Sequence, residues 1–288
     1  MSSPRALVIR IGALGDVLLT RRLTYSLSRA GYRTTLFAPR RHAALLEADP
    51  WIEAVLDSES SAFAGAFEGS DTGITSREAL GTFDLAVIAS KNPALVRFAS
   101  AISETAFEVS PEPISQDESI GVQWAKALEP RIPAFMGDLP GLPIEPARAF
   151  QHGATLLHPG SGSPRKNWPL DHFVELSRIL RERGHAVRWL LGPAESSFDL
   201  PPGETALSNF DLGDLAATLR EARLYVGNDS GVSHLAAAVG APTVAIFGPT
   251  SDRVWRPDGP RVSTIRAPSE DLKDVSAQMV VGVAEGAL

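Results

Sequence analysis

The chain contains no cysteine, which excludes disulfides and thiolate metal sites and makes the cytoplasm the expected compartment. Long apolar runs are also missing. The longest are strand-sized, far below the roughly 20 residues a membrane helix needs. The start, Met1-Ser-Ser-Pro-Arg5, runs into a strand-like segment and lacks the charged-then-apolar layout of a signal peptide. No basic stripe with interleaved aromatics is present, so nucleic acid is not an expected partner. The dinucleotide fingerprint G-x-G-x-x-G is absent, as is the G-K-[ST] ending of a P-loop. No D-x-D acidic pair stands out as a metal site. What is present is an ordinary globular composition, 44% apolar and 21% charged over 288 residues. At roughly 150 residues per domain, that length favours two domains.

Net charge is −7, but its distribution is uneven. Residues 1–41 carry Arg5, Arg10, Arg21, Arg22, Arg29, Arg33, Arg40 and Arg41 against the single acid Asp16. Residues 42–150 then carry six basic and seventeen acidic groups. The basic start either faces an anionic substrate or membrane headgroups, or consists of arginines scattered over exposed helix faces.

Short β-branched or apolar runs alternate with helical patterns, which predicts βα units and parallel sheets. In the first half the expected strands are 6–11, 34–38, a short one at 54–56, 83–90 and 106–109. The expected helices there are 16–30, closed by Gly31, then 93–102 and 119–128. Residues 58–82 read as a loop with little pattern. Five prolines (Pro130, Pro133, Pro140, Pro143 and Pro146) then mark a linker or extended crossing segment. The domains are accordingly set at 1–145 and 146–288. The second half restarts the rhythm with strands at 154–158, 186–191, 224–227 and 243–247, and helices at 170–183, 212–221 and 230–239. A terminal helix over 271–286 either stays with its own domain or packs back on the first. In open parallel sheets ligands sit beyond the carboxyl ends of the strands, so four strand-to-loop junctions carry the chemistry.

At Arg10-Ile-Gly-Ala-Leu-Gly-Asp16 two glycines make a tight turn, and Asp16 opens a helix. It is either a carboxylate interacting with the helix dipole or a general base. His158-Pro-Gly-Ser-Gly-Ser-Pro-Arg-Lys-Asn-Trp-Pro169 offers backbone N–H groups, the hydroxyls of Ser161 and Ser163, and the cations Arg165 and Lys166. Those are the requirements for binding phosphate. Leu191-Gly-Pro-Ala-Glu195 places an acid where a ribose diol is commonly bound, or else a solvated loop acid. In Gly227-Asn-Asp-Ser-Gly231 a strand turns into a helix whose small first residues leave amides open to an anion. His234 follows one turn after Ser230.

Three motifs together resemble a known family. They are R-x-G-x-x-G-D, H-P-G-S-x-x-x-x-K-x-W-P, and G-N-D-S-G-x-x-H-L-A-A-A followed by T-V-A-I-F-G-P-T. They are similar to the ADP-heptose:lipopolysaccharide heptosyltransferases, glycosyltransferase family nine. The resemblance implies an α/β GT-B fold, two Rossmann-like βα domains facing a central cleft. It further implies an inverting, metal-independent transfer, without a cofactor, of a sugar from a nucleotide diphosphate. The donor would be ADP-heptose and the acceptor a lipopolysaccharide-core or related glycan, with peripheral contact at the cytoplasmic face of the inner membrane. By the same resemblance Asp16 is the catalytic base and Lys166 contacts the donor diphosphate, with Ser161 and Ser163 beside it. Glu195 binds the adenosine ribose, and Phe210 lies against adenine. Asp229 sits near the transferred sugar, Ser230 and Gly231 bind phosphate, and His234 follows on the helix. Gly15, Lys91 and Arg97 fall on the acceptor side, where Ala89-Ser-Lys-Asn-Pro93 departs from the family's acidic or glutamine-containing segment. The competing readings are a GT-B-like protein that binds a nucleotide sugar without transferring it, and a nucleotide-sugar epimerase.

Overall fold

The computed structural model describes residues 3–68, 74–145, 153–192, 198, 200–204 and 206–287. The chain divides into two compact units, Met1–Leu139 and Pro140–Leu288. The first unit runs β1 (Arg5–Ile9), α1 (Leu14–Leu18), α2 (Arg21–Arg29), β2 (Arg33–Ala38), α3 (Arg40–Ala43), β3 (Ile52–Asp57) and α4 (Ala64–Glu68). It continues through α5 (Ile74–Leu80), β4 (Phe83–Ile88), α6 (Pro93–Ile102), β5 (Ser103–Glu108) and α7 (Ile120–Lys126). Its sheet has the order β3-β2-β1-β4-β5, and every pairing is parallel. Strand β1 is buried along Ala6–Ile9 because helices cover both faces of such a sheet, which is why it reads as an unbroken apolar run.

The predicted 16–30 helix is broken into α1 and α2. At the break the Thr20 hydroxyl takes the carbonyl of Val17 at 2.6 Å, and its amide bonds the same carbonyl at 3.1 Å, tightening the turn. Residues 58–82, read as a loop with little pattern and at most one helical turn, contain α4 and α5 among the described residues. The overlooked signal is Phe63, Ala66 and Phe67, spaced for one helical face. Phe63 packs edge-on to Phe37 at 5.1 Å, and Phe67 lies 6.2 Å from the same ring. Both rings are partly buried against the first-unit core.

The second unit runs β6 (Thr155–His158), α8 (Leu170–Glu182), β7 (Val187–Leu190), β8 (Ala206–Leu207), α9 (Leu212–Arg220) and β9 (Leu224–Asn228). It ends with α10 (Gly231–Ala238), β10 (Thr243–Phe247), β11 (Val262–Arg266) and α11 (Ala277–Ala287). The sheet order is β11-β10-β9-β6-β7-β8, again with parallel pairings. Strands β8 and β11 were not expected. The first is two residues long, and the second, Val-Ser-Thr-Ile-Arg, has only two apolar residues to mark it. Gly31, Gly184 and Gly240 end their helices at φ of +91°, +84° and +85°, where a side chain would be strained. The terminal helix contributes Ala277, Val280, Val281 and Ala284 to the second-unit core and packs on α8, β10 and β11.

The proline-rich stretch divides earlier than residue 145. Phe135 and Gly137 carbonyls accept from the Arg22 guanidinium at 2.9 and 3.0 Å, tying that part to the first unit. Leu142, fully buried, donates its amide to Ala238 at 2.7 Å in the second.

In each sheet the chain reverses its winding beside the first strand of the unit: between β1 and β4, and between β6 and β9. Those two switch points are where open α/β sheets bind ligands.

The first unit also buries an ion pair. Arg21 Nε and Nη2 each lie 2.8 Å from a different oxygen of Asp49, with side chains 2% and 0% exposed. Burial pushes the Asp49 carboxyl above its ordinary range, and the Arg21 hydrogen bonds only partly oppose this. A sealed pair of this kind costs much when one partner is removed and little when both are replaced by apolar side chains of similar volume. Asp49→Ala should lower unfolding free energy by about 3–5 kcal/mol, because it strands a buried guanidinium. Arg21→Met with Asp49→Leu should recover most of that loss in the same urea titration. Equal losses in both variants would contradict this account.

Candidate functional site

At the second unit's switch point, β6 leads into the 159–168 loop and β9 into α10. The side chain of Asn228, fully buried at the end of β9, holds both ends of that loop. Its Nδ2 donates to Pro159 O at 2.7 Å, and its Oδ1 accepts from the Trp168 amide at 2.9 Å. Trp168 anchors the far end, buried with its indole N–H on Val275 O at 2.8 Å. Within the loop the Ser161 hydroxyl is engaged with Asn167 Oδ1 and Ser163 O at 2.6 and 2.7 Å, so these serines shape the turn.

The loop delivers Lys166 to Asp229. Lys166 Nζ lies 2.7 Å from Asp229 Oδ2, and the Thr250 hydroxyl donates to the same oxygen at 2.6 Å. Asp229 is 6% exposed and the Lys166 side chain 32%, so the carboxylate is enclosed while the ammonium reaches the surface. Ser230 caps α10, its Oγ accepting from the Ser233 amide at 3.3 Å. Gly231 opens the helix without a side chain over its first amides. His234 is buried one turn further along. Below the cap, the Tyr225 hydroxyl contacts Ser233 Oγ at 3.1 Å and His158 Nδ1 at 3.3 Å. Gly227 is required here, since a Cβ would fall 2.2 Å from that hydroxyl.

Beside these residues lies a cavity of about 470 Å³, lined by His158, Leu190, Leu191, Phe210, Leu215 and Val232 among others. It is of ligand-binding size and mostly apolar, as a flat heteroaromatic ring requires. Asn209, in the left-handed conformation at φ 63°, immediately precedes Phe210. Glu195, expected on a ribose, lies outside the described residues.

In the first unit Asp16 stands third in α1. Its Oδ1 accepts from Arg10 Nη2 at 2.5 Å and its Oδ2 from the Ala13 amide at 3.1 Å. A Cβ on Gly12 would lie 2.7 Å from Asp16 Cβ, so the turn admits only glycine. Gly15 is buried beneath it. Lys91 is exposed and ion-paired with Glu112, and Arg97 is exposed on α6. Among the described residues, no hydrogen bond or ion pair joins either of them to Asp16.

The basic start does not form an open cationic surface. Arg10 and Arg21 hold Asp16 and Asp49, and Arg33, Arg40 and Arg41 pair with Glu53, Glu47 and Glu59. Arg22 bonds carbonyls, while Arg5 and Arg29 lie over Phe83 and Phe135. Except for Asp16, the acids that pair with them lie beyond residue 41, so composition alone left both an anion-facing surface and scattered arginines open. Conversely Asn228 and Thr250 stand in the motifs without an assigned role, and Tyr225 lies two residues before one of them. A polar residue ending a buried strand, and a hydroxyl following Gly-Pro at the next strand end, are the signals that could have found them.

His158 is buried, and that burial pushes its pKa down to about 4. Its unfolded value is 6.5, so the folded state binds a proton less readily than the unfolded chain. Stability from this group is complete above pH 6.5 and is lost as pH falls toward 4. The contribution lost between pH 7 and 4.5 is about 2–3 kcal/mol. Urea titrations of His158→Gln at these two pH values should show an acid destabilisation smaller by that amount. An unchanged acid loss would contradict a buried neutral imidazole.

The sequence profile of glycosyltransferase family 9 (heptosyltransferase) matches residues 82–284. Lipopolysaccharide heptosyltransferase 1 of Pseudomonas aeruginosa is 34% identical over 143 residues, 44% of this chain and 38% of that protein. Lipooligosaccharide heptosyltransferase 2 of Haemophilus influenzae is 31% identical over 157 residues, 44% of each. The chain thus spans less than half the length of the curated relatives it matches. Among solved structures, a glycosyl transferase family 9 protein from Veillonella parvula superposes with a TM-score of 0.81 at 20% identity, covering 100% of this chain and 98% of that one. E. coli heptosyltransferase WaaC with ADP gives 0.74 at 20% identity, covering 99% and 100%. These likenesses show the GT-B arrangement of two Rossmann-like α/β units. With the profile covering most of its residues, the chain belongs to glycosyltransferase family 9.

Proposed function

We propose that this protein is an inverting glycosyltransferase that moves heptose from ADP-heptose to a lipopolysaccharide-core or related glycan acceptor. The observation that carries the reading is the Lys166–Asp229–Thr250 group at the start of α10. It stands beside an apolar cavity of about 470 Å³ that suits adenine, with Phe210 in its lining. Family membership, and relatives whose names specify heptose transfer, support the sugar and the acceptor class.

In the reaction the acceptor oxygen forms a bond to the anomeric carbon on the face opposite the nucleotide. The bond from that carbon to the diphosphate oxygen breaks, and ADP leaves with the electron pair. The acceptor's hydroxyl proton passes to the Asp16 carboxylate, which acts as general base. Charge that develops on the departing diphosphate meets Lys166, the 159–168 loop amides and the first amides of α10. Lys166 is shared in this scheme, since its ammonium rests on Asp229 and reaches the surface from there. Protein cations and helix amides supply the stabilisation, so the transfer is proposed to need no metal. Among the described residues, no group of three or more His, Cys, Asp and Glu side chains is arranged to hold one. No described helix is long and apolar enough to cross a membrane. Contact with the inner membrane is proposed to be peripheral, through a lipid-linked acceptor.

The test is turnover of ADP-heptose in EDTA, with heptose-free lipopolysaccharide as acceptor. The wild-type protein should release ADP and elongate the acceptor despite the chelator. Asp16→Ala should lose turnover while binding ADP with affinity within about twofold of wild type. Dependence on Mn²⁺ or Mg²⁺ would overturn the metal-free scheme, and equal loss of binding and turnover would make Asp16 structural.

A further inference from the structure

Arg10 leaves β1 beside Asp16, and its side chain is only 10% exposed. Burying a guanidinium is costly unless its donors are met and its plane is packed, and here both terminal nitrogens find acceptors while the buried Nε has none among the described residues. Nη2 donates to Asp16 Oδ1 at 2.5 Å, and Nη1 donates to Ala89 O, beyond the end of β4, at 3.2 Å. The guanidinium carbon stands 5.1 Å from the ring centroid of Trp124 on α7. That indole is in turn fixed by its N–H on Ser110 O at 2.7 Å.

We infer that Arg10, backed by Trp124, is a positioning residue that sets the plane of the Asp16 carboxylate for proton transfer. The inference rests on the reading of Asp16 as the base. Asp16 Oδ2 already accepts from the Ala13 amide at 3.1 Å, which holds one edge of the carboxylate. A single hold leaves the group able to turn about its last torsion. The second hold, from Arg10, fixes that torsion, and Arg10 itself is held from a different strand and a different helix. The turn that precedes this short helix has no room for a side chain at Gly12, since a Cβ there would meet Asp16. A misplacement of about 1 Å in such a group costs on the order of 100-fold in rate.

The experiment measures kcat and KM for ADP-heptose, with heptose-free lipopolysaccharide as acceptor, in Arg10→Gln, Arg10→Lys and Asp16→Asn. Arg10→Gln should lose about 10- to 100-fold in kcat, with KM for the donor within about twofold and the thermal shift on ADP unchanged. Arg10→Lys keeps the charge and should recover part of the loss. If glutamine unfolds the protein, Arg10→Lys is read alone, with a kcat about tenfold down at unchanged KM expected. A wild-type kcat in the readable variant, or kcat and KM changing together, overturns the positioning role. Asp16→Asn separates the two ideas. Wild-type turnover there overturns the base reading itself. An inactive Asp16→Asn alongside a fully active Arg10→Gln overturns only the role of Arg10.

Discussion

The buried amide of Asn228 organises the second unit's site. One side chain bonds the carbonyl that starts the 159–168 loop and the amide that ends it, closing the loop, with its 3-10 turn at Pro164–Lys166, into an arch. The arch brings Lys166 within 2.7 Å of Asp229, the residue next to Asn228 in sequence. Asn228 can do this only because it ends a strand buried on both faces, where an unmet amide would be expensive. Trp168, locked into the core at the other side, prevents the arch from sliding. Parallel pairing of β6 with β9 sets the spacing across which the amide reaches.

Both units place their candidate chemistry at a switch point, and they use the position differently. In the second unit the strand ends present cations, hydroxyls and a helix start, a set suited to a diphosphate. In the first, the strand end presents a carboxylate held by an arginine, suited to accepting a proton. Glycine serves each place by the same steric logic. Gly12 leaves space for Asp16, and Gly227 leaves space for the Tyr225 hydroxyl that links His158 to Ser233.

Much of this was legible in the amino-acid order because parallel strands, capped helices and glycine ends are local features. The 93–102 helix, begun by an Asn92 cap and Pro93, matches its expected bounds, as does the strand at 243–247. What was not legible depends on distant partners. Broken α1–α2 could not be seen until Thr20 was known to turn onto Val17. The eight arginines of the first segment left a cationic face and scattered helix arginines both open, because Asp49, Glu47, Glu53 and Glu59 lie beyond it in the chain. At the site, motif glycines and charges stood out, whereas Asn228 and Thr250 did not. Their importance comes from bonds to residues 60 and 21 positions away.

Arg10–Asp16, Arg21–Asp49 and Lys166–Asp229 are all enclosed ion pairs, but they differ in accessibility. The Arg21–Asp49 pair is sealed, with neither member in reach of a ligand. The other two each keep one member partly exposed, as a group that must meet a ligand does. The most direct test of the donor site is a calorimetric titration of ADP into the wild-type protein and into Lys166→Ala. Saturable binding to the wild type, weakened tenfold or more in the variant, is the predicted result. No ADP binding, or equal affinity in both proteins, would contradict the account.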